Sequence, residues 1–242
     1  MRDIAIIFKR EFQSYFYSPI AYVFSIIFIF LNTSIYMFHF FLLGNADMRS
    51  FFSTLPLVLG IIFIPAISMR LWSEEKKLGT IELILTLPIK TEFIVLGKYL
   101  AGFVFYLIAL AGTLTIPIIL VILGKPDFGP IVGGYLGAIL LGGFFMSIGI
   151  FISSFFSDQI VSLIITSLVC GFITLIGWQY VPMLIDGWIP GLGTFLNKYI
   201  GVSRHFNDIE RGVLDIKSII YFLSFTILFL FLNVKILERR KY

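Results

Sequence analysis

Long apolar runs alternate with short polar breaks along this chain. Six runs, at residues 20–43, 51–69, 92–123, 130–153, 160–178 and 219–236, are long enough to cross a bilayer as helices. Ahead of them, residues 1–18 predict an interfacial helix, because Ile4, Phe8, Phe12 and Tyr15 recur at helical spacing while Lys9, Arg10 and Gln13 lie on other faces. Ser18-Pro19 separates that helix from the first span. The third span is long enough to tilt, and Pro117 predicts a kink near its far end. In the fourth, Gly129, Gly133 and Gly137 repeat every four residues, with Gly134, Ala138 and Gly142 on the next row. Small residues at that spacing let helix backbones approach closely, and packing within one bundle is favoured over a seam between subunits.

The breaks differ in character. Gly44–Ser50 and Gly124-Lys125-Pro126-Asp127 read as plain turns, and Ser157-Asp158-Gln159 as a tight turn into the fifth span. Residues 179–217 are interrupted by Pro182, Pro190 and glycines, too broken to span yet too apolar to float free. A partly re-entrant outer segment, its backbone covered by protein, suits them. Residues 70–91 are the most charged break. There Gly79-Thr80 ends one helix and opens another, with Thr80 as N-cap and Glu82 in the first turn, where a carboxylate favours the helix dipole. Pro88 stops it, leaving a stub of about two turns over residues 81–87 that is rich in leucine and isoleucine. Either this stub is a connector packed on its own bundle, or it is a handle for another protein.

Composition fixes the class. The chain of 242 residues is 59% hydrophobic and 13% charged, with mean hydropathy +1.00. Soluble domains carry about twice that share of charge, so the expected fold is all-α, a single polytopic transmembrane domain with six spans. The start MRDIAIIFKREF does not read as a cleavable signal. The single cysteine, Cys170, lies in an apolar run and says little about redox compartment. With the N-terminus inside, twelve of the 18 Lys and Arg residues fall on the cytoplasmic side and six outside. That bias predicts cytoplasmic termini. The basic balance belongs to the span flanks and does not suggest nucleic acid.

Several chemistries lack their residues. No Asp or Glu falls in the interior of a span, and Lys98 counts with the cytoplasmic flank of the third. His39 is then the ionisable residue left well inside one, which disfavours an ion-coupled carrier. There is no H-E-x-x-H, G-x-S-x-G or metal-ligand spacing, so no metal site or catalytic residue is expected. Glu74-Glu75 lacks the arginine or histidine set that an intramembrane protease would place around it, which Lys76-Lys77-Leu78-Gly79 does not supply. Nor is there a G-x-x-x-x-G-K-[ST]. Vectorial work would therefore draw energy from another polypeptide through the cytoplasmic face, which raises the docking reading of the stub.

Four stretches carry a family resemblance: FKREFQSYFYSPIAY before the first span, IPAISMRLWSEEKKLGTIELILTLPIKTEFIVLGKYLAG around the stub, SDQIV between spans four and five, and RHFNDIERGVLDIKSIIYFLSFTILFLFLNVKILERRK at the close. With these the chain resembles a permease subunit of a type-two ABC exporter. The likeness is closest to the subgroup named for bacterial gliding motility, and the nitrous-oxide-reductase maturation permease is a near relative. The resemblance implies a six-span half-transporter in the bacterial cytoplasmic (inner) membrane. It would pair with a second permease subunit, a distinct chain or a second copy, and with two cytosolic ABC ATPases that bind ATP and Mg; this chain itself would hold no cofactor.

It also implies an ATPase-docking surface at Lys9, Arg10 and Glu11 on the connecting helix and at Glu74, Glu75, Lys76, Lys77, Gly79, Thr80, Glu82, Leu83 and Pro88 around the coupling helix. Hydroxyl and amide positions within spans, Asn32, Thr33, Ser34, Thr166 and Ser167, are candidate pathway residues. Hydroxyls in spans also bond their own backbone, however, and so leave that role open. In the outer segment, Arg211 pairing Asp208 or Asp215 to hold a loop beside Arg204 stands against substrate contact. The reading from another class is a non-transporting membrane scaffold of an envelope or motility complex, which would need no bound ATPase.

Overall fold

The computed structural model describes residues 2–43, 48–123, 127–178, 180–210 and 215–239, with no strand among them. Among the described residues, six helices are long and apolar enough to cross a membrane, near the expected positions. Helix α1 (Arg2–Tyr17) lies along the bundle and α2 (Pro19–Leu43) is the first span. The second begins as α3 (Arg49–Val58), runs through a π-helical turn at Leu59–Phe63, then continues as α4 (Ile64–Ser68) and α5 (Arg70–Lys77). Its helix therefore extends two turns into the segment expected to be a polar break. The stub follows as α6 (Ile81–Thr86), then α7 (Thr91–Gly112) and α8 (Thr115–Leu123). After α9 (Phe128–Ser153) and α10 (Gln159–Ile176) come three short helices, α11 (Tyr180–Trp188), α12 (Leu192–Tyr199) and α13 (Val202–Glu210). The last span is α14 (Ile216–Arg239). The expected turn positions Gly44 to Asp47 and Gly124 to Pro126 lie outside the described residues.

Prolines account for two irregularities. Pro65 has no N–H to give the Ile61 carbonyl one turn earlier, and the helix widens there into its π turn. The Ser167 hydroxyl on α10 donates to that carbonyl at 2.7 Å. Pro117 likewise cannot serve the Thr113 carbonyl, and the third span breaks at Thr113-Leu114 between α7 and α8. The expected kink is present, one turn ahead of the proline. The junction of α4 and α5 at Met69 is held by α9. There Ser153 Oγ accepts from the amides of Trp72 (3.0 Å) and Ser73 (3.2 Å) and donates to the Met69 carbonyl at 2.9 Å.

Helix α9 is the hub, and its glycines explain how. A methyl on Gly142 would stand 2.1 Å from Tyr106, one on Gly134 2.3 Å from Phe52, and one on Gly149 2.1 Å from Ser68 Oγ. Two rings and a serine side chain occupy the space a side chain would take, so the glycine face is packed within one chain, by side chains rather than by neighbouring backbone. Tyr106 is also anchored, donating to the Ala138 carbonyl at 2.6 Å. Asp158 caps α10 as its turn sequence implies, accepting from Ile160 N and Val161 N.

The segment after α10 is more regular than its prolines and glycines suggest. It is three helices, and α13 is part of the bundle: Val202, Phe206 and Ile209 are buried, the last two over Gly137 of α9. Helices α11 and α12 remain outside, joined by Asp186, which accepts from Gly193 N at 2.6 Å and from the Thr194 hydroxyl.

Candidate functional site

The end of the bundle that carries α6 also holds a buried ionic joint. Along α1 the inward line is Ile7, Glu11 and Tyr15, four residues apart, while Phe8 and Phe12 are only partly covered. Tyr15 stacks on Phe105 of α7, donates to the Ile67 carbonyl at 3.1 Å, and lies beneath the Arg70 guanidinium. Further along, Gly97 lets α7 approach Ile7, since a Cβ there would stand 2.8 Å from it. A carboxylate on this inward line needs a cation, and α7 supplies Lys98.

The Lys98 side chain is 1% exposed. Its ammonium has three N–H groups and three acceptors: Glu11 Oε1 at 3.0 Å, Glu75 Oε1 at 2.8 Å and the Leu71 carbonyl at 2.8 Å. It also sits 4.9 Å from the centre of the Trp72 ring. Arg10 completes a square by donating to both carboxylates, at 2.9 Å to Glu75. Two cations thus share two carboxylate oxygens, and α1, α5 and α7 meet at one neutral point. Burial opposes the charge on Glu11, but Lys98 and Arg10 outweigh it and hold its pKa below the usual carboxylate range. Sequence reasoning assigned Lys98 to a flank. Its place seven residues inside a helix of otherwise apolar inward positions is the signal that would have found it.

The stub hangs next to this joint. Gly79, at φ +69°, turns the chain from α5 into α6. Thr80 does not cap through its side chain, because its backbone is already helical and its hydroxyl points back to the Glu75 carbonyl at 3.4 Å. At the other end Leu87 is extended, as a residue before proline must be, and Pro88 ends the helix. Ile84 and Leu85 seat α6 on the bundle, whereas Glu82, Leu83 (68% exposed) and Leu87 (47% exposed) face away. A cleft of about 390 Å³ separates α6 from α1 and α5, with Arg10, Glu11, Glu75 and Lys98 on one wall and Leu83 and Ile84 on the other. Lys76 bonds the Ser154 carbonyl at the end of α9, and Lys77 is exposed. Lys9 is also exposed.

The remaining sequence candidates scatter. Asn32 is buried, its amide donating to the Phe28 carbonyl at 2.7 Å, with Oδ1 unpartnered. Thr33 is half-buried and Ser34 exposed. Thr166 is buried with an unpartnered hydroxyl, while Ser167 is the partner of the π-turn carbonyl. At the other end of the bundle, Arg211 lies outside the described residues. Asp215 accepts from the Lys217 amide at the start of α14, and neither Arg204 nor Asp208 enters a salt bridge among the described residues.

A family model described as ABC-2 family transporter protein matches residues 8–174, from α1 through nearly all of α10. The chain belongs to the ABC-2 transporter family. No curated protein matches it. As an ABC-2 family permease it is a multi-pass membrane protein, of a kind that is generally non-catalytic and partners with ABC ATPase subunits. The match takes in the joint and the stub and stops short of α11 to α14.

Proposed function

We propose that this chain is the permease half of an ABC transporter in a bacterial cytoplasmic membrane and that α6 is the foot on which a cytosolic ATPase pushes. Both termini and α6 face the cytoplasm, two ATPase copies bind ATP and Mg, and a second, distinct permease chain completes the complex. The assembly exports a substrate or transmits force, in the manner of the gliding-motility subgroup. The observation that carries this reading is the pairing of an exposed foot with a buried joint. Glu82, Leu83 and Leu87 face outward on a helix whose other side is seated in the bundle. Beside it the Lys98 square links α5 to α1 and α7, so displacement of the foot reaches three helices through short charge-assisted bonds. Lys9 and Lys77 extend the docking surface to either side. Asn32 and Thr166 are the strongest of the pathway positions, because each keeps an unpartnered buried oxygen.

Co-expression with a cytosolic ABC ATPase from the same genome, purification through a tag on the permease and measurement of ATP turnover test the reading. Wild type is expected to bring down an active ATPase. Glu82→Arg, a solvent-facing change expected to alter fold stability by less than about 0.5 kcal/mol, should reduce capture and turnover about tenfold. Unchanged capture and turnover in that variant, or no ATPase at all with wild type, would favour the scaffold.

A further inference from the structure

At the end of the bundle away from α6, a cleft of about 360 Å³ lies between the α10 terminus and α13. Its lining is of one kind: Arg204, Asn197 and Asn207 supply polar groups, and Trp178 and Tyr180 supply rings that are 45% and 76% exposed. Among the described residues no carboxylate lines it. Arg204 makes no salt bridge among the described residues, although Asp208 lies one turn further along the same helix. Its five guanidinium donors are therefore committed to no carboxylate among the described residues.

The floor is rigid. A methyl on Gly177 would meet Ser203 N at 2.6 Å, and the Ser203 hydroxyl donates to the Thr174 carbonyl at 3.0 Å. The Asn197 amide donates to the Ile176 carbonyl at 2.9 Å, which leaves its carbonyl oxygen to accept. Beside the cleft, α11 and α12 expose Met183, Leu184, Trp188 and Phe195, an apolar surface suited to acyl chains, with aromatic rings at its margin.

We infer that this cleft holds the headgroup of an anionic phospholipid of the outer leaflet. The phosphate is taken by the Arg204 fork, headgroup hydroxyls by Asn197 and Asn207, and the acyl chains lie along α11 and α12. A planar guanidinium donates to two phosphate oxygens at once, and amphipathic rings such as those of Trp178 and Tyr180 prefer the headgroup region. The placement in the outer leaflet rests on the orientation proposed above, while the binding itself does not.

Native mass spectrometry of the full chain in detergent, without ATPase, tests the site with three probes: short-chain phosphatidylglycerol, short-chain phosphatidylcholine and glycerol phosphate. Wild type is expected to retain phosphatidylglycerol about tenfold better than Arg204→Ala, with Arg204→Lys between them. Glu82→Arg should bind as wild type does, so a failed coupling model leaves this result standing. Equal retention by wild type and Arg204→Ala would overturn the proposal, as would equal retention of the two lipids. Glycerol phosphate binding as tightly as the lipid would also overturn it and would point to a soluble ester instead.

Discussion

At the scale of single residues, the Lys98 square buries charge and should be sensitive to substitution. Removing one partner of a buried ion pair strands the other charge, at about 3–5 kcal/mol. Lys98→Met is therefore expected to lower the melting midpoint in detergent, and adding Glu75→Gln should recover part of the loss, since it removes one of the stranded carboxylates. Glu11 makes the pH prediction. A carboxylate whose pKa is depressed on folding stabilises the fold above its unfolded value, about 4.3, and the contribution fades as pH falls through the folded value. The stability gap between wild type and Glu11→Gln should thus be full at pH 7 and shrink below about pH 4, as followed by thermal melts across that range. Little of this was legible beforehand. Glu11, Glu75 and Lys98 are far apart in the chain, and nothing in hydropathy says that the inward line of α1 passes through an acid rather than through Phe8 and Phe12.

Among the helices, sequence and structure agree best where a local rule decides. Pro88 ends α6 and Pro117 breaks the third span, each through backbone chemistry confined to one turn, whereas the expected Thr80 cap fails because that residue is already helical. The glycine rows of α9 were legible as a packing face, but not which rings would fill it. Gly142→Ala tests that packing. Tyr106 is pinned by its hydrogen bond and cannot swing clear, so the added methyl should cost about 1–3 kcal/mol, seen as a lower melting midpoint. Helix α13 was missed as an element, although Val202, Phe206 and Ile209 follow helical spacing. Neighbouring prolines and glycines made the whole stretch read as irregular, and only the fold reveals that Gly137 leaves room for the Phe206 ring.

For the whole molecule, class and span count followed from composition and run length, because a bilayer imposes both. What composition cannot give is how stiffly the spans are joined. A ring lodged in a notch blocks axial slip, and α9 is notched towards α3, α4, α7 and α13. Neighbouring helices can then neither glide nor rotate past that spindle without climbing out of their seats. A blow delivered at one face of the membrane would tilt the subunit as a single lever, and among the described residues the proline-loosened stretches at Leu59–Phe63 and Thr113-Leu114 are the natural places for hinging.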